Sequence, residues 1–286
     1  MHIGLTMFPT EYAIEPHVLA KEAEARGFES IWFPEHTHIP ASRRTPYPAG
    51  GDLPKEYWHT FDPFGALCAA AAVTNTIHLG TGVCLLIERD TIITAKQAAT
   101  VDRLSAGRFL FGIGGGWNAE EMENHGTDYK TRFKKLREQV LAIREIWTKE
   151  AAEFHGEMVR FDPIWCHPKP MQKPGPPVIL GGMSAHAMDR AIDYGDGWMP
   201  LDGGRGPDSL SPMIAEFQRR LVARARASIG VTIFGAPQRA EALSKYQDLG
   251  VERAVLMIRP ETSEVLLPKL DRMAKLIPTS SSPRPS

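Results

Sequence analysis

The chain has 286 residues, 43% of them hydrophobic, and a formal net charge of −1, which excludes a bulk electrostatic grip on nucleic acid or on an anionic membrane. Its three cysteines lie far apart and form no CxxC pair, so we expect no disulfide framework and a reducing, cytoplasmic location. The chain starts directly on a strand-like segment and no apolar run approaches the roughly 18 residues of a membrane span, so we expect neither a targeting signal nor a membrane segment.

Short apolar segments typical of strands alternate with longer segments typical of helices along most of the chain. The predicted strands cover residues 3–8, 28–33, 77–84, 108–113, 176–180, 197–199, 231–234 and 254–258. The predicted helices cover residues 15–27, 62–71, 91–104, 133–147, 207–227 and 237–249, with further helices beginning at residue 185 and after Thr262, which is a predicted cap.

One junction recurs between a helix and the next strand. Gly27, Gly107, Gly195 and Gly250 each occupy it, and we predict for all four the left-handed conformation that glycine adopts after a helix. A repeated unit of this kind indicates a parallel sheet. Eight strands, each followed by a helix, predict a (β/α)8 barrel, with an open doubly wound sheet as the alternative.

We expect a single barrel domain at residues 1–278 and a disordered tail at residues 279–286, which are rich in serine and proline. Two segments are surplus to the barrel. Residues 37–60 follow the second strand, and residues 152–174 precede the fifth strand, with a small hairpin predicted at residues 154–161. Long loops in compact domains are usually functional or act as lids.

The segment after the fourth strand carries four glycines within five residues, at Gly112, Gly114, Gly115 and Gly116. Asn118 and Glu121 then have the spacing of a capping box at the start of a helix. A loop of nearly bare backbone before a helix suits close contact with an anionic cofactor. The alternative is a tight turn with no ligand.

Side chains at the carboxyl ends of parallel barrel strands meet on one face, where the chemistry of such barrels gathers. Glu35 and His36 follow the second strand, and a carboxylate with an imidazole can move protons near neutral pH. His36 could instead only hydrogen-bond within its loop. A metal site formed by these two residues and His38 has no further ligand cluster to support it.

The fifth strand leads through Gly181, Gly182 and Met183 to Ser184, the predicted cap of the next helix. Bare N–H groups, a hydroxyl and a helix N-terminus suit a phosphate group, although an ordinary capped turn would look the same. Trp117 could stack on a planar ring or close the barrel mouth. Arg259 could meet an anionic substrate or face solvent.

Several of these segments together resemble the luciferase-like monooxygenase superfamily, and most closely its branch of coenzyme F420-dependent oxidoreductases. The segments that carry the resemblance are residues 32–36 (WFPEH), 79–83 (LGTGV), 95–108 (AKQAATVDRLSAGR), 112–117 (GIGGGW), 167–170 (HPKP), 179–184 (ILGGMS) and 195–198 (GDGW). Their order and spacing, more than any single motif, make the likeness specific over residues 1–200.

The resemblance implies a (β/α)8 barrel that binds F420, or alternatively FMN, at the strand C-termini, and it suggests a homodimer. It implies a cis peptide bond at Gly82–Val83 and cofactor contacts from Thr81, Gly82, Val83 and the glycine loop through Trp117. It also implies that the cofactor phosphate lies near Gly181, Gly182, Met183 and Ser184. In one departure from the related sugar-phosphate dehydrogenases, Trp117 stands where they carry a catalytic glutamate.

Three functions follow from this pattern. The first is a deazaflavin-dependent oxidoreductase that acts on a small-molecule substrate. In it, His36 transfers the substrate proton, and Glu35 orients or charges His36. The second is an FMN-dependent monooxygenase. The third, of another class, is a non-catalytic cofactor-binding protein. The aromatic residues Tyr47, Tyr57 and Trp58 suggest a partly apolar wall for the substrate.

Overall fold

The computed structural model describes residues 1–278, and the predicted disordered tail at residues 279–286 lies outside the described residues. Eight parallel strands close into a barrel. In chain order the strands are β1 (His2–Thr6), β2 (Ser30–Phe33), β3 (His78–Thr81), β4 (Phe109–Ile113), the hairpin pair β5 (Ala151–His155) and β6 (Arg160–Trp165), β7 (Val178–Gly181), β8 (Gly197–Met199), β9 (Gly230–Ala236) and β10 (Arg253–Met257).

Helices follow the barrel strands in the expected alternation. They are α1 (Pro16–Ala25), α2 (Glu56–His59), α3 (Pro63–Ala71), α4 (Thr91–Leu104), α5 (Ala119–Asn124), α6 (Arg132–Thr148), α7 (Ala185–Tyr194), α8 (Pro207–Ala223), α9 (Ala240–Asp248) and α10 (Ser263–Ala274). The strand order is β1-β10-β9-β8-β7-β4-β3-β2, and β1 pairs with both β2 and β10. This closure confirms the predicted barrel and excludes the open sheet.

The ends of several helices follow from local sequence rules. Asp62 and Asp90 accept hydrogen bonds from the backbone N–H groups of Gly65 and Ile93, which caps α3 and α4. Pro16 occupies the first turn of α1, where its missing N–H costs nothing.

Three of the four junction glycines have the predicted left-handed backbone, with φ of +81° at Gly27, +84° at Gly107 and +75° at Gly250. The prediction is wrong for Gly195, whose φ is −96°. Its glycine is explained by space, because a Cβ there would lie 2.8 Å from the Leu180 side chain and 2.9 Å from a backbone oxygen of α7.

Two predicted side-chain caps are not formed. Thr262 stands at the N-cap of α10 without a capping hydrogen bond from its side chain. Asn118 stands at the N-cap of α5, but its side chain caps nothing, and Glu121 does not reach back to it. Both amide atoms of Asn118 are buried with no hydrogen-bond partner in the described part of the chain. The capping-box prediction is therefore wrong, and Glu121 is available for another contact.

Large side chains fill the barrel interior in one cluster, made of Trp32, Leu110, Ile179, Met199, Phe234 and Val255. A second, larger apolar layer lies between the strands and the surrounding helices. A Cβ at Gly82 would lie 2.6 Å from the Phe234 ring, so the chain can pass over this interior cluster only with glycine at that position.

Both predicted insertions are present. Residues 37–60 include only the short helix α2, and the second insertion forms the antiparallel hairpin β5–β6, which packs on α6. Within residues 1–278, no helix combines the length and the apolar character needed to cross a membrane.

Candidate active site

Three segments that the sequence assigns to a cofactor converge on the side chain of Val83. The bond Gly82–Val83 is cis, as the resemblance implies, and it directly follows β3. A Cβ at Gly114 would lie 2.7 Å from one Val83 methyl group, and a Cβ at Gly181 would lie 3.1 Å from the other. The ends of β3, β4 and β7 therefore come together around one half-buried side chain.

The glycine loop has little room for side chains. A Cβ at Gly115 would lie 2.5 Å from the Phe133 ring, and Gly116 has a φ of +62° with Met122 2.7 Å from its Cβ position. Glycine is thus required here by both space and backbone conformation. On the neighbouring strand, the Thr81 hydroxyl donates to the Gly112 carbonyl at 2.7 Å and joins β3 to β4.

A pair of arginines lies beside the glycine loop, where sequence reasoning placed no charge. The guanidinium carbons of Arg190 and Arg132 lie 3.7 Å and 4.3 Å from the centroid of the Phe133 ring. Within residues 1–278 neither forms an ion pair, and the Nε of Arg132 is buried without a partner. Burial lowers the pKa of Arg190, and the charge of Arg132 lowers it further. The two guanidinium groups thus lie on one aromatic ring without a direct carboxylate partner in the described part of the chain.

The predicted phosphate segment leads into α7, the helix that carries Arg190. Ser184 caps α7 by accepting from the N–H of Ala187 at 3.2 Å, as predicted, and it is exposed. Gly182 has a φ of +138°, and its carbonyl accepts from the indole of Trp198. Met183 is half-buried against the core. Arg190 lies on the same helix that Ser184 begins, so the hydroxyl and the cation belong to one rigid element.

His36 is held by a residue that the sequence did not suggest. Its Nδ1 lies 2.8 Å and 2.9 Å from the two carboxyl oxygens of Glu121, and both side chains are buried. Glu35 makes no contact with His36. It accepts from the backbone N–H of Leu85 and from Arg89, at 2.7 Å and 2.5 Å. Of the two roles predicted for Glu35, that of orienting His36 is wrong, because Glu121 makes this contact. Its charge does act on the imidazole, since it opposes the lowering of the His36 pKa by burial.

Burial governs the protonation of this cluster. Loss of water lowers the pKa of His36 to about 4, against an opposing effect of the Glu35 charge. Burial and the Glu35 charge raise the pKa of Glu121 to about 8. Burial and the charges of Glu121 and Glu35 raise the pKa of Glu88, in a short 3-10 helix at Leu86–Glu88, to about 9. The imidazole is neutral at pH 7.

Aromatic side chains surround the other faces of His36. The ring centroids of Tyr57, Trp117 and Phe8 lie 5.0 Å, 5.9 Å and 6.5 Å from that of His36. Tyr47 packs on both Tyr57 and Trp117. The predicted aromatic wall therefore contains Tyr47 and Tyr57, and Trp117 packs against both. Trp58 is 49% exposed and has no ring contact with this wall.

The insertion that carries this wall is fastened to α5. The Glu120 carboxylate accepts from the backbone N–H and the Nε of Arg44, at 2.8 Å and 2.9 Å, and from the Thr45 hydroxyl at 2.6 Å. The adjacent residue, Glu121, holds His36. Residues 120 and 121 thus fix both the covering loop and the imidazole.

The remaining candidates do not join this cluster. His38 contacts Thr37 and Asn124, so Glu35, His36 and His38 face different partners. Within the described residues no group of three or more His, Cys, Asp or Glu side chains is placed to hold a metal ion. Arg259 is exposed and lines a separate cavity against α10.

Comparison with known sequences gives one family. The family model for luciferase-like monooxygenases matches residues 11–276. An uncharacterised protein of Mycobacterium tuberculosis is 39% identical over 264 residues, covering 84% of this chain and 93% of that protein. Pyrimidine monooxygenase RutA of Allorhizobium ampelinum is 32% identical over 51% of this chain and 41% of its own length. The FMNH(2)-dependent dimethylsulfone monooxygenase of Pseudomonas putida is 30% identical over 50% of this chain and 40% of its own length.

Solved structures share the fold over nearly the whole chain. The monooxygenase RslO1 from Streptomyces bottropensis has a TM-score of 0.77 at 19% identity, with 96% of this chain and 98% of that chain covered. An F420-dependent secondary alcohol dehydrogenase, in complex with an F420-acetone adduct, has a TM-score of 0.75 at 16% identity, with 97% and 98% covered. At these identities the likeness establishes the fold alone.

Proposed function

The chain belongs to the luciferase-like monooxygenase family, and we propose that within it this protein is an oxidoreductase that uses coenzyme F420 for hydride transfer to or from a small organic substrate. The observation that carries the proposal is a buried imidazole, His36, held by Glu121 beside an aromatic wall, on the barrel face where three loop segments meet at Val83. A hydride acceptor or donor such as a carbonyl or an alcohol also exchanges a proton, and His36 is placed for that exchange.

The described residues fit an anionic deazaflavin. At Gly115 the backbone packs directly on the Phe133 ring, which occupies the position of a Cβ and presents Arg132 and Arg190 beside the glycine loop. Arg132 and Arg190 have no carboxylate partner within residues 1–278, so they would hold the phosphate side of the coenzyme together with Ser184. When bound, the deazaflavin ring supplies or takes up the hydride.

The chain's own residues then have distinct roles. His36 holds or accepts the substrate proton at Nε2, which has no hydrogen-bond partner in the described part of the chain. Tyr47, Tyr57 and Trp117 exclude water and present an apolar surface to the substrate. Glu35 forms its buried ion pair with Arg89, and its negative charge favours the protonated form of His36.

A second candidate is an FMN-dependent monooxygenase, and a specific observation favours it. Two curated monooxygenases, one of them FMNH(2)-dependent by name, are at least 30% identical to this chain, although over only about half of it. The ring systems of F420 and FMN would occupy the same position beside Val83. The difference lies in chemistry, because a monooxygenase consumes oxygen during turnover and a deazaflavin dehydrogenase does not.

The experiment that tests the proposal supplies the protein with F420 or FMN, each in both redox states, and a panel of small alcohols, ketones and enones. We expect substrate-dependent oxidation or reduction of F420, followed by its absorbance, without oxygen uptake. Oxygen uptake with reduced FMN, and none of the F420 reaction, would replace the first candidate by the second. Tight coenzyme binding without turnover of any substrate would support a non-catalytic binding protein.

A further inference from the structure

His36 and Glu121 are a buried base and a buried acid in direct contact. Both carboxyl oxygens of Glu121 lie within 2.9 Å of Nδ1, and the side chains of His36 and Glu121 are 6% and 1% exposed. We propose that Glu121 is the proton partner of His36: it takes up the Nδ1 proton when Nε2 gains a proton and returns it when Nε2 loses one. The reaction in which this proton exchange would take part rests on the proposed function, but the exchange between His36 and Glu121 does not.

The two nearby carboxylates are in different electrostatic situations. Glu35 is ion-paired with Arg89, whose guanidinium lies 2.5 Å away and also pairs with Asp62. Within residues 1–278, the only ion-pair partner of Glu121 is His36 itself. A buried carboxylate without a cation is costly and gains by taking up a proton. Of these two carboxylates, Glu121 is therefore the one that can exchange a proton with His36.

The order of proton affinity in the pair is the reverse of that in water. In water an imidazole holds its proton more tightly than a carboxylate. Here burial lowers the pKa of His36 to about 4, and burial with the Glu35 charge raises the pKa of Glu121 to about 8. A second proton on the ring is thus less stable than a proton on the carboxylate, so the pair avoids a buried imidazolium–carboxylate ion pair.

Other charged and titratable groups pack around the pair. The ring of Tyr57 lies 5.0 Å from that of His36, and burial raises the pKa of its phenol, so it stays neutral. Glu88 on the short 3-10 helix interacts with Glu121, and burial with the charges of Glu121 and Glu35 raises its pKa, so the two carboxyl groups titrate together. Arg89 pairs with both Glu35 and Asp62, and the Glu35 charge still raises the pKa of Glu121. The groups farther out, on the loop after α5 and on α6, are His125 and Lys135, and burial lowers the pKa of each.

The exchange balances in protons and charge. With Glu121 ionised, Nδ1–H donates to the carboxylate and Nε2 carries a free lone pair. When Nε2 accepts a proton from a substrate hydroxyl, the N–H bond at Nδ1 breaks and an O–H bond forms on Glu121. The ring is neutral before and after, and the pair gains one positive charge from the proton. The reverse sequence delivers a proton to a substrate alkoxide.

The exchange also predicts how the tautomer of His36 depends on pH. Below about pH 8 the protonated Glu121 donates to Nδ1, so Nε2 carries the hydrogen and acts as an acid. Above about pH 8 the carboxylate accepts from Nδ1–H, so Nε2 is bare and acts as a base. The ring changes tautomer without changing charge.

The test is nitrogen-15 NMR of histidine-labelled protein with neither coenzyme nor substrate, from about pH 6 to about pH 10. The His36 signals are assigned by their loss in His36→Gln. We expect the hydrogen to move between the two ring nitrogens with one midpoint near that of Glu121. In Glu121→Gln the swap should disappear, because an amide cannot exchange a proton, and in the control Glu123→Gln, an exposed residue of the same helix, it should remain.

A ring in the wild-type protein that keeps one tautomer over this range would overturn the proposal, as would one that becomes doubly protonated near pH 6.5. Both outcomes are read without the coenzyme, so they do not depend on the proposed function. Conversely, a clear tautomer swap in a protein that binds no F420 would leave the proton partner intact and remove the proposed activity.

Discussion

Replacing Arg190 by methionine separates coenzyme binding from folding. Methionine keeps an unbranched apolar stem against the Phe133 ring while it removes the guanidinium, which lies 3.7 Å from the ring centroid. Within the described residues Arg190 has no carboxylate partner, and the charge of Arg132 opposes its own. The folded protein therefore loses about 0.5–1 kcal/mol of cation–π attraction and gains relief from repulsion. We expect the free energy of unfolding to change by less than about 1 kcal/mol.

Coenzyme affinity should respond differently. A hydrogen bond from a guanidinium to an anion contributes about 1.5–3 kcal/mol, so Arg190→Met should weaken F420 binding about 10- to 150-fold. Fluorescence titration measures the affinity, and chemical denaturation measures the stability. Arg219→Ala on α8, which removes an exposed arginine paired with Glu216, is the matched control and should leave both unchanged. Unaltered affinity in Arg190→Met would refute the assignment of the arginine pair to the coenzyme.

Three other changes test separate parts of the structure. His36→Ala should leave F420 affinity nearly intact and lower turnover by about 10²–10⁴-fold, measured with the substrate that the panel identifies; a turnover equal to that of the wild type would remove His36 from the chemistry. Gly115→Ala places a Cβ 2.5 Å from an aromatic ring and should cost about 1–3 kcal/mol, seen as a lower midpoint of thermal unfolding, whereas Gly65→Ala in α3, whose Cβ would meet nothing closer than 3.8 Å, should not destabilise. Glu24 is partly desolvated, yet hydrogen bonds from the N–H groups of residues 75–77 prevail and lower its pKa to about 2, so its contribution to stability is present above about pH 4.5 and is lost as the pH falls toward 2. Glu24→Gln should therefore destabilise at pH 7 and have no effect near pH 2, and an equal loss at both values would contradict this account.

Much of the fold follows from local rules that the sequence displays. The strand at Gly197–Met199 and the helix at Thr91–Leu104 have their predicted ends, since glycine, an aspartate cap and a change of periodicity mark them. The (β/α)8 barrel could be predicted because the same helix–strand unit repeats along the chain, and the closed strand order confirms it. Gly195 shows the limit of this reasoning, since packing and not backbone conformation selects glycine there.

The site was predictable in position but not in its partners. The location at the strand C-termini follows from the order of segments, and the cis bond follows from the family resemblance, whereas the contacts of Gly114 and Gly181 with Val83 appear only in the structure. The bond between His36 and Glu121 joins residues 85 apart, and only closure of the barrel brings them together. The spacing of Glu121 from Asn118 predicted a helix cap, which is a local contact. In the structure Glu121 instead contacts His36, which is distant in the sequence.

The structure also shows what Trp117 does at its position after the glycine loop. It stands where a catalytic glutamate was expected from related dehydrogenases, and its ring instead forms part of the aromatic wall 5.9 Å from His36. A carboxylate still reaches the imidazole, but it comes from Glu121, one helical turn later. The chain thus keeps an acid next to its base while the loop position is given to an apolar surface.

The measurement that tests the central claim most directly is a binding titration of the purified protein with F420 and, separately, with FMN, followed by fluorescence. The account predicts low-micromolar or tighter binding of F420, weaker binding of FMN, and loss of F420 affinity in Arg190→Met but not in His36→Ala. Binding of FMN alone would move the assignment to monooxygenase chemistry. Binding of neither coenzyme would contradict the claim that the strand ends around Val83 form a deazaflavin site.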